Sequence, residues 1–309
     1  MNRSAEPDTD AVSLTDRLRN LPQHLYPQHT LTALAYRITR IRTPWLKNLL
    51  IRAFIKAFGV DMREAAESDP LRYDSFNAFF TRALNPAVRP LASGEDVLCC
   101  PVDGTVSQAG AIDDEHLFQA KGKTFPLTAL LGGDPDLAAP FRHGSFATLY
   151  LSPRDYHRIH MPIDGTLRSM IHIPGRLFSV SPLTTRVIPE LFARNERVVT
   201  LFETAAGPMA LILVGAINVA SVETVWAGAV TPYRSRELRH WHYPTDSADT
   251  VRLAKGAEMG RFNMGSTVIV LFGPGAVDWD DSIAAERQTR MGQLLARIRP
   301  DQTETSAPH

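Results

Sequence analysis

A serine that follows a glycine opens a β-branched run in the segment Gly265-Ser266-Thr267. Glycine has no Cβ, so its carbonyl carbon is open to attack and its backbone tolerates unusual dihedral angles. The Ser266 hydroxyl can therefore attack the Gly265 carbonyl and move the acyl group from nitrogen to oxygen. Elimination from that ester, followed by hydrolysis of the dehydroalanine, would leave a pyruvoyl group with a reactive ketone. Taken alone, the tripeptide is equally typical of a turn that opens a strand.

Such a serine needs a base, and two other segments contain candidates. His157 and His160 lie three residues apart, and Asp103 lies in a turn between apolar stretches. A histidine base works best when a carboxylate fixes its tautomer, so Asp103, His160 and Ser266 could form a triad. Their wide separation neither supports nor opposes one, because Asp103 is also typical of an Asx turn and His160 of a core histidine. A spacing of three places the two histidines on one face of a helix but on opposite faces of a strand, so they could serve different steps.

The N-terminal third is expected to be helical. Thr43 is a good N-cap, Pro44 suits the first turn, and Gly59 is expected to end the helix. Between them, apolar residues recur at helical spacing: Leu46, Leu49, Leu50, Ala53, Phe54 and Ala57. A basic helix with a broad apolar face and Trp45 at its edge can lie in a membrane surface. A core-packing helix with solvated charges is the alternative.

From about Val97 onward the pattern predicts short strands between Gly and Pro turns. The expected strands are Gly104–Val106, Phe146–Leu151, Arg197–Phe202, Met209–Gly215, Val219–Trp226 and Thr267–Phe272. The uncharged stretch from Glu203 to Glu223 is long enough for a membrane span, but only Met209 to Val214 is continuously apolar, which favours buried strands with a turn at 205–208. The fold class is therefore α+β, with N-terminal amphipathic helices followed by a largely antiparallel β core. The polar tail 300–309 is expected to be disordered.

Composition excludes some classes of function. The chain has 309 residues, with 33 basic and 33 acidic residues, so no global field favours nucleic acid. The segment from Leu31 to Val60 is nevertheless basic and has no acidic residue. The two cysteines, Cys99 and Cys100, are adjacent and cannot form a disulfide framework, which is typical of a reducing compartment. The acidic, polar start at 1–10 lacks the apolar core of a secretory signal.

Several motifs in order resemble the bacterial phosphatidylserine decarboxylases, which are pyruvoyl enzymes. The similar segments are Phe76–Arg82, Pro101–Gly104, Ser152–Pro162, Pro174–Val180, Phe192–Arg197, Leu213–Ala216 and Lys255–Phe272. Met264 departs from the family's usual leucine before Gly-Ser-Thr, a swap that keeps size and apolarity.

The resemblance implies self-cleavage between Gly265 and Ser266 by a triad of Asp103, His160 and Ser266. The products would be a large chain, 1–265, and a small chain, 266–309, whose terminal pyruvoyl group is the covalent cofactor. That ketone would form a Schiff base with phosphatidylserine, accept electrons as CO2 leaves, and yield phosphatidylethanolamine in phospholipid biosynthesis. The resemblance places His157 near this chemistry, as proton donor or as a headgroup contact.

The implied partners are phosphatidylserine in the bilayer, the membrane surface, and a heterodimer of the two cleavage products that could assemble further. The implied location is the cytoplasmic face of the inner membrane, held peripherally by a helical region at 1–65 that precedes a catalytic domain at 66–309. No transmembrane helix, nucleic-acid partner or metal is expected. His240 and His242 could ligate a metal, but no third ligand is evident. Lys255 could suggest a Schiff base with pyridoxal, but nothing around it resembles the fold of a pyridoxal enzyme.

Two rival functions remain. A serine hydrolase could use Asp103, His160 and Ser266 on an external acyl substrate, although the sequence lacks a Gly-x-Ser-x-Gly elbow. A non-catalytic lipid-surface adaptor would use the basic helix alone.

Overall fold

The computed structural model describes residues 14–120, 122–217, 221–231, 237–263 and 266–300. Short helices dominate the first third of these ranges. The α-helices are α1 Leu14–Asn20, α2 Pro22–Leu25, α3 Gln28–Thr39, α4 Pro44–Phe58, α5 Phe76–Phe80, α6 Leu127–Leu130, α7 Pro135–Ala138, α8 Pro182–Val187 and α9 Leu191–Arg194. Single 3-10 turns lie at Met62–Glu64, Pro70–Arg72, Pro86–Val88 and Ala139–Phe141.

Strands dominate the remainder. They are β1 Val97–Cys99, β2 Gly104–Ala111, β3 His116–Ala120, β4 Lys123–Pro126, β5 Ser145–Leu151, β6 Arg158–His160, β7 Gly165–Ile173, β8 Arg197–Thr204, β9 Gly207–Val214, β10 Val222–Thr224, β11 Gly228–Ala229, β12 Arg239–His242, β13 Arg252–Leu253, β14 Glu258–Phe262, β15 Ser266–Phe272, β16 Val277–Trp279, β17 Gln288–Thr289 and β18 Leu294–Ile298. The predicted α+β class, with helices first and sheet afterwards, is confirmed.

The largest sheet has nine strands, in the order β12-β7-β8-β9-β15-β5-β2-β17, with β13 also paired to β7. Its strands pair antiparallel throughout. Strand β15 lies inside this sheet, between β9 and β5, and all seven of its residues are buried. A second sheet, β11-β10-β14-β6, pairs the strand that precedes residues 263–265 with the strand that carries His160.

Helix α4 has the predicted bounds. Gly59 takes the left-handed conformation, with φ of 67°, and its N–H donates to the Ile55 carbonyl, as expected for a glycine that ends a helix. Thr43 occupies the N-cap, but its side chain makes no capping hydrogen bond. Ile51 is fully buried in a small core that it shares with α5, while Trp45 is 69% exposed.

Some strand expectations need correction. Only Ala205 and Ala206 form the turn before β9, and Gly207 and Pro208 already belong to the strand. Within the expected strand 219–226, β10 covers Val222–Thr224 alone; residues 219 and 220 lie outside the described ranges. The expectations for the N-terminal residues 1–10, for Met264 and Gly265, and for the tail beyond Pro300 also concern residues outside those ranges.

Candidate active site

Ser266 is the first residue of β15, as the sequence predicts for the opening of a strand. It pairs with Leu151 at the end of β5 and is fully buried. Its Oγ has no hydrogen-bond partner among the described residues. Buried polar atoms are rarely left unpaired in folded proteins, and an unpaired one calls for an explanation such as strain, a bound water or a role in a reaction. The bond to Gly265 lies at the edge of the described ranges.

Both histidines lie beside the segment that leads into Ser266. Strand β6, which ends at His160, pairs with β14, and the Phe262 N–H donates to the His157 carbonyl oxygen over 3.0 Å. Phe262 is four residues before Ser266. The fold therefore brings His157 close to the segment that enters β15, whereas His160 pairs with Glu258, eight residues before Ser266.

His157 is a fully buried, neutral imidazole. Its Nδ1 lies 2.8 Å from the Asp155 carbonyl oxygen, which can only accept, so the proton is on Nδ1. Nε2 then carries a lone pair and has no partner within the described part of the chain. Burial, with a smaller contribution from the nearby Arg82 charge, lowers the pKa of His157 to about 3. The ring centroid of Phe80 lies 4.2 Å from that of His157, which helps to exclude water.

His160 has the same tautomer, also because of a backbone carbonyl, and its second nitrogen is occupied. Its Nδ1 donates to the Gly256 carbonyl oxygen over 2.8 Å, and its Nε2 accepts from the Tyr156 hydroxyl over 3.0 Å. Burial lowers the pKa of His160. The orienting acceptor in this arrangement is thus a backbone carbonyl rather than a carboxylate.

Asp103 lies in the bend before β2 and is bound by other groups. Its carboxylate accepts from Arg89 Nε at 2.9 Å and from the Met291 N–H at 2.8 Å. Arg89 also donates to Glu64 at 2.7 Å. The contact with His160 is indirect, since the His160 N–H donates to the carbonyl of Pro101, two residues before Asp103.

No hydrogen bond among the described residues joins Asp103, His160 and Ser266 to one another. The relay between them therefore stays a prediction. Sequence reasoning missed the Tyr156 hydroxyl and the Arg89 guanidinium, which occupy the atoms that a relay would use. Tyr156 could have been noticed four residues before His160, whereas Arg89 gives no local signal.

The other candidate groups have structural partners or exposed positions. His240 and His242 lie on the edge strand β12, with ring centroids 4.0 Å apart. Across the described ranges, no group of three or more His, Cys, Asp or Glu side chains is placed to hold a metal ion. Lys255 Nζ donates to the Gly94 carbonyl over 2.8 Å, and Arg158 is paired with Glu258.

The length and polarity of a helix decide whether it can cross a membrane. Within the described residues, every helix is too short or too polar to span a bilayer.

Comparison with known proteins assigns the chain to a family. The family model described as phosphatidylserine decarboxylase matches residues 76–297, and a second model, described as PSD, matches residues 18–59. Three similar proteins are each named phosphatidylserine decarboxylase proenzyme. The protein from Bordetella pertussis is 56% identical over 293 residues, which cover 95% of this chain and 98% of that protein.

The proteins from Nitrosococcus oceani and Azotobacter vinelandii are 55% and 54% identical, and each match covers 92% of this chain. These matches cover 92% and 99% of the two proteins themselves. The first family model covers well over half of the chain, and the similarity to whole proteins extends over nearly all of it. The chain therefore belongs to the phosphatidylserine decarboxylase family.

Proposed function

We propose that this protein is a pyruvoyl-dependent decarboxylase that converts phosphatidylserine to phosphatidylethanolamine after cutting its own backbone between Gly265 and Ser266. The carrying observation is the fully buried Ser266, whose Oγ has no partner within the described ranges. The relatives' names support the proposal, because a proenzyme is a precursor that requires processing.

In the cleavage step, Ser266 Oγ bonds to the Gly265 carbonyl carbon and the Gly265–Ser266 C–N bond breaks. The proton leaves Oγ for a base and returns to the freed nitrogen. His160 suits the base role because the Gly256 carbonyl holds its proton on Nδ1, so that Nε2 keeps a lone pair. The Tyr156 hydroxyl must first give up its hydrogen bond to that lone pair. Asp103 would then act on His160 indirectly. It lies two residues after Pro101, whose carbonyl oxygen accepts a hydrogen bond from the His160 N–H.

The residues around Ser266 fit a pyruvoyl group. Elimination and hydrolysis at Ser266 would release one ammonia and leave the ketone at the N-terminal end of β15. Once formed, the ketone would supply the electron sink for loss of CO2. The buried Ser266 Oγ and His157 Nε2 both lack partners among the described residues, so neither atom is held there by a structural hydrogen bond.

His157 is proposed as the group that moves the proton in decarboxylation. In the described state it holds one proton on Nδ1, and Nε2 can accept a second and return it. Burial lowers its pKa to about 3, so the ring is neutral at pH 7, and its Nε2 lone pair, which has no partner among the described residues, can accept a proton.

The two product chains would stay together through strand pairing. Strand β15, the first element of the proposed small chain, is paired along its length with β5 and β9, which belong to the large chain. The later strands β16 and β18 form a sheet with β1. This pairing supports a heterodimer of chains 1–265 and 266–309.

The N-terminal helices are proposed as the membrane-facing surface, on the cytoplasmic side of the inner membrane, with residues 1–65 as the associating region and 66–309 as the catalytic domain. Most of the exposed large apolar side chains in the described ranges lie there: Leu18, Leu21, Tyr26, Leu31, Leu34, Ile38, Trp45, Leu49 and Phe58. The same segment is basic, and each Lys or Arg near an anionic surface contributes roughly 1 kcal/mol.

Intact mass spectrometry of the purified protein tests the proposal. We expect two chains, 1–265 and 266–309, with the small chain lighter by one ammonia than a serine-ended fragment. Ser266→Ala should remain one chain and lose decarboxylation of phosphatidylserine. Ser145→Ala is the matched control, because Ser145 Oγ is also buried without a partner in the described structure but lies at the far end of β5.

The same measurement separates the rivals. An uncut wild type that decarboxylates phosphatidylserine would overturn the pyruvoyl mechanism. An uncut protein that hydrolyses acyl esters would support the hydrolase, and an uncut protein that only binds vesicles would support the adaptor. The double substitution of Trp45→Ser and Leu49→Ser should weaken binding to anionic vesicles, measured by co-sedimentation, while leaving self-cleavage intact.

A further inference from the structure

A polar cavity of about 420 Å³ lies beside the proposed active site. Ser152 lines it and directly follows Leu151, the strand partner of Ser266. Asp103 lines it from another side. The cavity therefore begins one residue away from the strand pair that holds the proposed cleavage serine.

Arg82 is the unusual member of the cavity lining. It ends the Phe-Phe-Thr-Arg segment after α5, and its residue is only 4% exposed. One terminal nitrogen, Nη2, donates to the Arg154 carbonyl oxygen over 3.2 Å. The other two nitrogens of the guanidinium group, Nε and Nη1, have no hydrogen-bond partner in the described part of the chain. Buried charges are normally paired, and arginine stays protonated even where burial lowers its pKa, as it does here.

The carboxylates that line the cavity are bound by other groups. Arg89 donates to both Asp103 and Glu64, and Glu64 also lies 3.5 Å from Arg290. Asp61 is paired with Arg63, which does not line the cavity.

The carboxylate of Asp155 accepts from the N–H and the hydroxyl of Ser152, each at 2.7 Å. Arg154 is exposed at the rim and forms no ion pair within the described residues. Arg82 and Arg154 thus form no ion pair in those ranges, although the carboxylates of Asp103, Glu64 and Asp155 attract Arg82 from a greater distance.

The turn that carries Arg82 also contacts residues of the proposed active site. The Phe80 ring packs against His157 with ring centroids 4.2 Å apart and planes tilted by 44°, and the Thr81 carbonyl accepts from Arg158 Nε over 2.9 Å. These contacts fix the backbone of the turn relative to His157. A ligand held by Arg82 would therefore be held at a set position relative to the reacting groups.

We propose that this cavity binds an oxyanion of the phosphate class through Arg82. A guanidinium offers parallel N–H donors that match phosphate oxygens, and an anion entering the cavity gains this charge without breaking an existing ion pair. On the proposed function, which this inference rests on, the ligand is the phosphodiester of the lipid headgroup. A free phosphate has the same chemistry and is the alternative source.

The first test measures decarboxylation of phosphatidylserine in mixed micelles by the self-cleaved enzyme. Charge-assisted hydrogen bonds contribute about 1.5–3 kcal/mol, so Arg82→Gln should raise KM roughly 10- to 100-fold with a much smaller change in kcat. Arg82→Lys, which keeps the charge, should recover part of that loss. Arg142→Gln, an exposed arginine that does not line the cavity, is the control and should leave KM unchanged.

The second test uses inorganic phosphate and glycerophosphoserine as soluble probes. If both compete with phosphatidylserine for the wild type and lose affinity for Arg82→Gln, the headgroup is the source. If inorganic phosphate binds at Arg82 without competing, the site is supported with free phosphate as its ligand. A folded, self-cleaved Arg82→Gln with wild-type KM and wild-type phosphate affinity would overturn the proposal.

The two proposals fail separately. A wild type that remains uncut or inactive on phosphatidylserine would count against the proposed function, whereas the phosphate titration of wild type and Arg82→Gln would still decide the oxyanion site. If Arg82→Gln does not fold, the comparison of wild type with Arg82→Lys decides it, because unchanged KM and phosphate affinity in that variant would contradict recognition by a guanidinium fork.

Discussion

Acid should destabilise this fold through His157, and the effect can be worked out from its burial. The imidazole is fully buried, and its pKa in the folded chain is about 3, against 6.5 for an ordinary histidine. Between these two values the unfolded chain binds the proton and the folded chain does not. The stability contributed by the neutral buried ring is therefore fully present above pH 6.5 and is lost as the pH falls toward 3.

The size of the effect follows from the same two values. At 1.36 kcal/mol for each pKa unit, the whole difference corresponds to roughly 5 kcal/mol. Between pH 7 and pH 5, a histidine that titrates only in the unfolded chain accounts for about 2 kcal/mol of that loss. Burial also lowers the pKa of His160, which adds a loss of the same sign, so the contribution of His157 must be measured as a difference.

The assay is urea unfolding at pH 7 and pH 5 in the Ser266→Ala background, which keeps the chain in one piece. We expect the background protein to lose about 2 kcal/mol more over this pH range than the same protein with His157→Gln. His116→Gln, which removes an exposed histidine, is the control substitution. If the His157→Gln protein loses stability in parallel with its background, the burial argument for His157 is wrong.

Three further substitutions test the surroundings of the site. Arg89→Met should lower the free energy of unfolding by about 3–5 kcal/mol, because it leaves the buried Asp103 carboxylate without its cation; a loss below about 1 kcal/mol in urea unfolding would contradict this. Tyr156→Phe should cost about 1–2 kcal/mol by leaving His160 Nε2 without its donor, yet mass spectrometry should still find the chain cut, since the Gly256 carbonyl holds the tautomer. Gly175→Ala should lower the free energy of unfolding by about 1–3 kcal/mol, because its Cβ would lie only 2.5–2.6 Å from backbone atoms of the neighbouring segment; a wild-type free energy of unfolding would show that the backbone can move aside.

Much of the fold could be predicted because its signals are local. Helix α4 begins at a proline and ends at a glycine, and both act through their own backbone restrictions. The strands at 146–151, 197–202 and 267–272 could be recognised because each apolar run lies between turn residues. Strand β10 is shorter than expected, since the end of an element depends on what its neighbours pair with.

The candidate site was less predictable, because its contacts join segments far apart in the chain. Ser266, His157 and His160 could be singled out from the chemistry of their side chains, and strand pairing places both histidines beside the segment that leads into Ser266. The partner of Asp103, by contrast, is Arg89, from a segment that no local pattern connects to it.

Residue types alone establish which groups could react: a serine after a glycine, two imidazoles and several arginines. Their charges and tautomers depend on the folded structure. Packing of Phe80 against His157 removes water and holds that imidazole neutral, and the Gly256 carbonyl, from a distant segment, fixes the proton on His160. A side chain's chemistry belongs to its own atoms, but its charge, tautomer and available lone pairs depend on which other atoms exclude water or donate to it.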